Sequence, residues 1–242
     1  MNVHGPHYFT VDIFGAEIKI TESIVVGWIV IAIITILILF VTHNMKKVPS
    51  KKQLIAEMIV TTANNMVRGN MGNTYMRFAP YMATIFFYSL FGTLICLFGF
   101  RPVTSDFNTT LTWALLTFVM IHYCKIRNHG IGGYLKEYAE PVAFMVPLNI
   151  IDELVKPVSL SFRHFGNIAG DMIITMLLYH SLIALSSAIH LPVPLTGIGL
   201  PAILSVYFDL FSGTMQAFIF VMLSMVFIGS AGEREEKSKK KA

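Results

Sequence analysis

The sequence predicts an all-α integral membrane protein: about five membrane-crossing helices, a cytoplasmic interfacial helix, and a last pair of helices that are long and steeply tilted as a hairpin. Three observations carry this reading. Apolar residues make up 55% of the 242-residue chain and charged residues 13%, against roughly 45–50% and 25% in soluble domains. The mean hydropathy is +0.65. From Pro157 to Gly232 the only formal charges are Arg163, Asp171 and Asp209. A soluble domain needs far more charge to cover its surface, so soluble enzymes, disordered chains and disulfide scaffolds are excluded. Residues 1–242 read as a single membrane domain.

A crossing helix needs about 20 apolar residues to span ~30 Å of hydrocarbon. Residues 24–42 carry no charge and form the first span. The segment before it, Met1 to Ser23, has no basic start and no small-residue cleavage site, so it reads as a short outer segment. Pro49 to Gly72 mixes basic and apolar positions and is too polar to span; it reads as a helix lying on the cytoplasmic face. The second span is 78–100, entered through Arg77 and Pro80, since proline is tolerated in a first helical turn. The third is 107–124. The fourth and fifth are about 143–188 and about 196–230, separated by a break at His190 to Pro194. At 1.5 Å per residue the helices either side of that break are each ~50 Å long, so they tilt steeply or break. Gly197, Gly199 and Pro201 are candidates for shortening the last one. Residues 233–242 are a basic cytoplasmic tail.

Basic residues set the orientation. Fourteen Lys and Arg lie in three regions, His43 to Arg77, the loop Lys125 to Pro141, and the tail, against two in the outer segments. By the positive-inside rule the N-terminus is outside and the C-terminus cytoplasmic. The net charge of +4 therefore belongs to membrane loops, and no nucleic-acid partner is expected. Cys96 and Cys124 lie in separate apolar runs, which argues against a disulfide or a metal site.

Charges inside the last two spans are expensive and are functional candidates by default. Arg163 leads, because a guanidinium does not shed its proton in proteins. Ser159, Arg163, Asn167 and Asp171 are spaced by four, so each lies 40° on from the last and they form one stripe. Gly166 and Gly170 beside it make a small-xxx-small surface that permits close helix approach. In the next helix Ser205, Asp209, Ser212, Gly213 and Gln216 share a face. Two such helices packed together line an aqueous path. The plainer alternatives stay open: Arg163 as a structural bridge to Asp171 or Asp209, and Asp209 with Gln216 as interhelical hydrogen-bond glue. His180 and His190 read as incidental or interfacial, and His164 points off the stripe toward headgroups or a neighbour. The glycines of HGIGGYLKE make no phosphate loop, and metal-ligand and nucleophile-elbow patterns are absent. No cofactor, metal or nucleotide site is expected.

PLNIIDELVKPVSLSFRHFGN (Pro147 to Asn167) closely resembles the signature of subunit a of the F-type ATP synthase. TSDFNTTL (Thr104 to Leu111), GIGGYLKE (Gly130 to Glu137) and QAFIF (Gln216 to Phe220) are similar to three further blocks of that family, in the same order, and the resemblance covers most of the chain. It implies a bacterial-type stator subunit in the inner membrane. The expected partners are a ring of c subunits, b-type peripheral stalk subunits, the remainder of the synthase, and the lipid bilayer. It places the family's essential arginine on Arg163, its polar helpers on Asn167 and Gln216, and its channel asparagine on Asn108. Asp209 falls where the family has an acid or a histidine.

The match departs at two points. His164 stands where the family commonly has Leu. The family's acid lies five places after the Asn, where this chain has Met172; the acid here is Asp171, so either a residue is missing after Asn167 or the acid has moved by 100° on the helix. The implied function is ion conduction: two half-channels carry H⁺ or Na⁺ to and from the rotor, with Arg163 between them. Two other classes are weighed against it. A secondary transporter with an intramembrane Arg site for an anionic substrate predicts paired repeats, and none is evident. A structural scaffold predicts that Arg163→Ala assembles and works normally.

Overall fold

A computed structural model describes residues 7–13, 16–43, 45–139, 142–188, 203 and 206–239. A two-stranded antiparallel hairpin comes first, β1 (His7–Ile13) and β2 (Ala16–Thr21), in register from Phe9 opposite Ile20 to Ile13 opposite Ala16, with a register shift between Phe9 and the His7–Thr21 pair. The segment read from sequence as an outer one thus holds a hairpin, in line with the alternation of apolar and polar residues in HYFTVDI and AEIKIT. Among the described residues everything after it is helical or connecting.

Helix α1 (Glu22–Thr42) follows directly, with Glu22 in its first turn, where a negative charge suits the helix dipole. Helix α2 (Lys51–Met71) begins at Ser50, whose hydroxyl accepts the Gln53 amide at 3.5 Å, and ends at Gly72, whose φ of 80° only glycine adopts readily. A 3₁₀ turn (Asn73–Phe78) leads into α3 (Ala79–Leu94), which tightens into a second 3₁₀ turn (Ile95–Phe98) before Gly99. Helix α4 (Phe107–Tyr138) has a break at Gly130, with φ 68° and ψ 170°. The stretch Lys125 to Tyr138, read from sequence as a loop, is therefore a continuation of α4 bent at a glycine. Helix α5 (Val146–Ala188) runs 43 residues through Pro157, about 65 Å at the standard rise. A wide π turn (Tyr207–Ser212) opens into α6 (Gly213–Lys239). The predicted break at His190 to Pro194, the residues Gly197, Gly199, Pro201 and Ser205, and the start of the 196–230 span lie outside the described residues.

Among the described residues four stretches are long and apolar enough to cross a membrane: Glu22–Thr42, Asn73–Phe98, Val146–Ala188 and Tyr207–Ala231. The predicted 107–124 span is present as the first part of α4 but is not one of these four. Asn108, Thr109, Thr110, Thr112, Thr117 and His122 lower its hydropathy.

The chain divides into two compact units, each drawn from several stretches. The first comprises Met1–Thr35, Phe87–Phe107 and His164–Ala217; the second comprises Ile36–Phe86, Asn108–Arg163 and Phe218–Ala242. In the first, Val26 and Val30 of α1 pack with Ile95 and Val103, bordered by Tyr88 and Phe91. The approach is close, for a Cβ on Gly27 would stand 2.8 Å from the Tyr88 hydroxyl oxygen. In the second, Trp113 of α4 meets Phe220 of α6 edge-on at 6.0 Å, and Tyr81 and Thr117 hydroxyls lie 3.3 Å apart. Asn128 donates to the Tyr75 hydroxyl at 2.5 Å and to the Ala231 carbonyl at 3.5 Å. Lipid tails are as apolar as leucine, so small residues and hydroxyl bonds of this kind decide how membrane helices pack.

Candidate functional site

The site is built where the two predicted polar stripes meet, inside the first unit. Asn167 of α5 donates through Nδ2 to Gln216 Oε1 of α6 at 2.6 Å. One turn further along α5, the Asp171 carboxylate accepts from the Ser212 hydroxyl at 2.6 Å. A step of four forward on α5 matches a step of four back on the other strand of the hairpin, so the two bonds are successive rungs of an antiparallel pair. Gln216 is buried, and Asp171 and Ser212 are half-buried.

Helix α5 stays regular through this region. No residue is looped out after Asn167, so Asp171 keeps its place on the Asn167 stripe. The irregularity falls on the partner strand instead, where the π turn sets the Gly213 amide on the Phe208 and Leu210 carbonyls. That widened turn takes Asp209 off a simple α-helical repeat with Ser212 and Gln216. Asp209 is half-buried, hydrogen-bonded to the Cys96 thiol and within electrostatic reach of Asp171. Gly213 belongs to packing, because a Cβ there would collide with Thr93.

The remaining candidates take different places. Gly166 is exposed and Gly170 half-exposed on α5, with nothing of the chain within 4 Å of a Cβ on either. Arg163 is the last α5 residue in the second unit, is exposed, and belongs to no ion pair among the described residues. Ser159 on α5 and Asn108 in the first turn of α4 are also exposed in that unit. His164 is fully buried, its Nε2 3.3 Å from the Ser89 hydroxyl, so it faces a neighbouring helix and not headgroups.

A second polar centre in the second unit was not foreseen. Glu153 of α5, 6% exposed, lies between Lys125 of α4 at 3.1 Å and Lys156 at 2.9 Å. Glu137 reaches Lys125 at 3.4 Å and Asp152 reaches Lys156 at 3.4 Å. These five side chains, with Tyr138 and Asn149, line a cavity of about 200 Å³. Burial pushes the Tyr138 phenol up, and its hydroxyl stands 2.8 Å from that of Tyr134. The signal was Glu153 and Lys156 spaced by three on a helix, obscured because Lys125 was counted as a loop charge.

Comparison with known proteins adds to this geometry. The sequence profile described as ATP synthase A chain matches residues 24–229. The chain is 32% identical over 233 residues to the ATP synthase subunit a, sodium ion specific, of Propionigenium modestum, covering 89% of this chain and 76% of that one. It is 31% identical over 226 residues to the ATP synthase subunit a of Moorella thermoacetica, covering 93% and 97%. It is also 31% identical to the chloroplastic ATP synthase subunit a of Oedogonium cardiacum, covering 88% and 82%.

Proposed function

The chain belongs to the ATP synthase A chain family, and on that premise we propose that it is the ion-conducting stator of the synthase's membrane sector, passing H⁺ or Na⁺ to and from a rotating ring of c subunits. As a family member it is a multi-pass membrane subunit of an F-type ATP synthase. The observation that carries the finer reading is Arg163: an exposed guanidinium on a membrane-crossing helix, in no ion pair among the described residues. A permanent charge at such a place needs a partner. Gly166 and Gly170, one turn and two turns on, leave the neighbouring face of α5 open to one.

The mechanism follows from charge. A rotor carboxylate arriving opposite Arg163 is held ionised, since an adjacent cation lowers a carboxylate pKa. Its ion is thereby released into one half-channel. After a turn of the ring it is reloaded from the other. Arg163 also repels a cation moving directly between the half-channels. The Asn167–Gln216 and Asp171–Ser212 rungs, with Asp209, supply polar groups along the outer path; Asn108 and Ser159 are further positions along the route. Each charge moved through 100 mV delivers ~2.3 kcal/mol, so several ions pass per nucleotide made. Peripheral stalk subunits of the b type hold the stator in place. In the bacterial inner membrane the chain crosses five times, α4 included, with its N-terminus outside.

The test is ATP synthesis by the reconstituted complex carrying Arg163→Ala, with full assembly demonstrated. Loss of ion-driven synthesis in an assembled complex is the expected result. Normal synthesis overturns the proposal and favours a structural scaffold.

A further inference from the structure

We propose that the junction of α1 and α2 is a binding site for anionic lipid headgroups, with Lys46, Lys47, Lys51 and Lys52 taking the phosphates and one apolar ridge of α2 resting among the upper acyl chains. The inference does not depend on the role of Arg163.

Helix α2 has two apolar faces. Gln53, Val67 and Met71 are buried on one, and Gly229 of α6 approaches so closely that its Cβ would stand 3.0 Å from the Asn70 carbonyl oxygen. Leu54, Ile55, Met58 and Ile59 lie on the other, at 58, 54, 64 and 40% exposure. At 100° per residue these four fall within about 140° of arc, centred opposite the buried face. Such a ridge needs an apolar environment.

Its depth is fixed by two contacts. The Lys52 ammonium stands 3.9 Å from the centre of the Phe40 ring in the last turns of α1. The start of α2 is therefore level with the end of a span, where hydrocarbon gives way to headgroups. Buried Gln53 then clasps the connecting loop: its Oε1 accepts the Lys46 amide at 2.9 Å and its Nε2 donates to the Lys46 carbonyl at 2.9 Å. The loop is folded back so that Lys46 and Lys47 stand beside Lys51 and Lys52, and all four are exposed.

Charge selects the occupant. Between residues 43 and 71 the one acidic side chain is Glu57, which accepts from Gln53 Nε2 at 2.8 Å. The first turn of α2 holds no acid, and its free amides add positive potential. A neutral apolar partner would cover the ridge and leave four ammonium groups uncompensated. A bilayer surface carrying phosphates satisfies ridge and collar together. Each lysine at such a surface is worth about a fivefold preference for anionic over zwitterionic lipid.

The experiment uses the whole purified complex in phosphatidylcholine vesicles holding traces of a photoactivatable phosphatidylglycerol or a photoactivatable phosphatidylcholine, with adducts mapped by peptide mass spectrometry. Phosphatidylglycerol adducts should concentrate on residues 46–59 and exceed phosphatidylcholine adducts there several-fold. The excess should shrink at high salt, which screens exposed charges, and survive added inorganic phosphate. Replacing all four lysines by Gln should remove it while leaving adducts on α1 unchanged; replacing them by Arg should keep it. Equal labelling by the two lipids, an excess that survives the Gln replacements, or competition by free phosphate overturns the proposal. So does labelling by neither lipid, which would mean that another subunit covers the ridge. The salt and phosphate arms use the unmodified protein, so the outcome is decided even if the Gln variant does not assemble.

Discussion

The Asn167 side-chain amide donates to Gln216 Oε1 at 2.6 Å, joining α5 and α6 one turn before the Asp171 carboxylate takes the Ser212 hydroxyl at the same distance. The pairing turns two stripes of polar residues, each costly in lipid, into a satisfied ladder. It also serves both sequence readings of Gln216 at once, since the same bond that glues the helices holds a polar group where an ion path is proposed.

That bond makes Asn167 and Gln216 energetically coupled. In a double-mutant cycle with Asn167→Ala and Gln216→Ala, the thermal stability of the purified complex should show an interaction of about 0.6 kcal/mol, and not above ~2 kcal/mol, the range for hydrogen bonds between membrane helices. Additive losses would show that the two side chains act separately.

The close approach at Gly213 predicts a suppressor. A Cβ there meets Thr93, which cannot easily yield, because its hydroxyl bonds the Ser89 carbonyl at 2.9 Å and lies 3.1 Å from that of Thr104. Gly213→Ala should reduce assembled complex in membranes. Thr93→Ser, which removes the obstructing methyl and keeps the hydroxyl, should restore much of it. A Gly213→Ala chain that assembles normally alone would contradict this.

The buried carboxylate of Glu153 sits between Lys125 and Lys156. Removing Lys125 leaves Glu153 leaning on Lys156, at a cost below the roughly 3–5 kcal/mol of a fully uncompensated buried charge. Lys125→Met should therefore lower the unfolding midpoint of the subunit in mixed detergent micelles more than Lys125→Met with Glu153→Leu, which removes both charges. The reverse order would show that Lys156 alone suffices for Glu153.

What the sequence made legible follows from what is periodic or costly. Helix α1 was readable because it is a long charge-free run, and α2 because it mixes basic and apolar positions and is too polar to span. The stripe on α5 was readable because the helix stays regular through Asp171, so spacing translated directly into geometry. The π turn was not readable: its wider hydrogen bonding leaves no mark in composition, and it takes Asp209 off the face that an α-helical repeat gives it. Ser89 and Thr93 carry no signal because each is an ordinary residue in an apolar run whose importance comes from what lies opposite, and Cys96 reads only as a cysteine without a disulfide or metal role. The Lys125–Glu153 pair escaped for the same reason, its members being 28 positions apart in sequence. The β1–β2 hairpin was present as alternation in a stretch too short for the search for spans to weigh.

Orientation is checked by thiol labelling in sealed vesicles. Fourteen basic residues in the proposed inner regions against two in the outer ones predict the C-terminal tail inside and β1 outside. With five crossings including α4, single cysteines in residues 1–10 and in the tail should react from opposite sides. Labelling of both from one side would mean an even number of crossings, with α4 the first candidate for a helix that does not cross.

The last prediction separates charge from shape at Arg163. Lysine keeps a positive charge but offers a compact ammonium in place of a planar, always-protonated fork. Held against lipid and an apolar rotor surface, an ammonium can become neutral by desolvation, whereas the guanidinium cannot. Arg163→Lys should therefore lose most coupled ATP synthesis, though the side chains differ little in length. Passive ion flux, measured after the soluble catalytic sector is stripped from the vesicles, should separate the variants further. On the proposed mechanism Arg163→Ala removes an electrostatic barrier between half-channels and should leak. Arg163→Lys should leak less than Arg163→Ala, and its leak should grow as pH rises and the ammonium discharges. If Arg163→Lys supported synthesis at the rate of the unmodified complex, a simple positive charge would be enough, and the always-protonated guanidinium would have no special part in the mechanism.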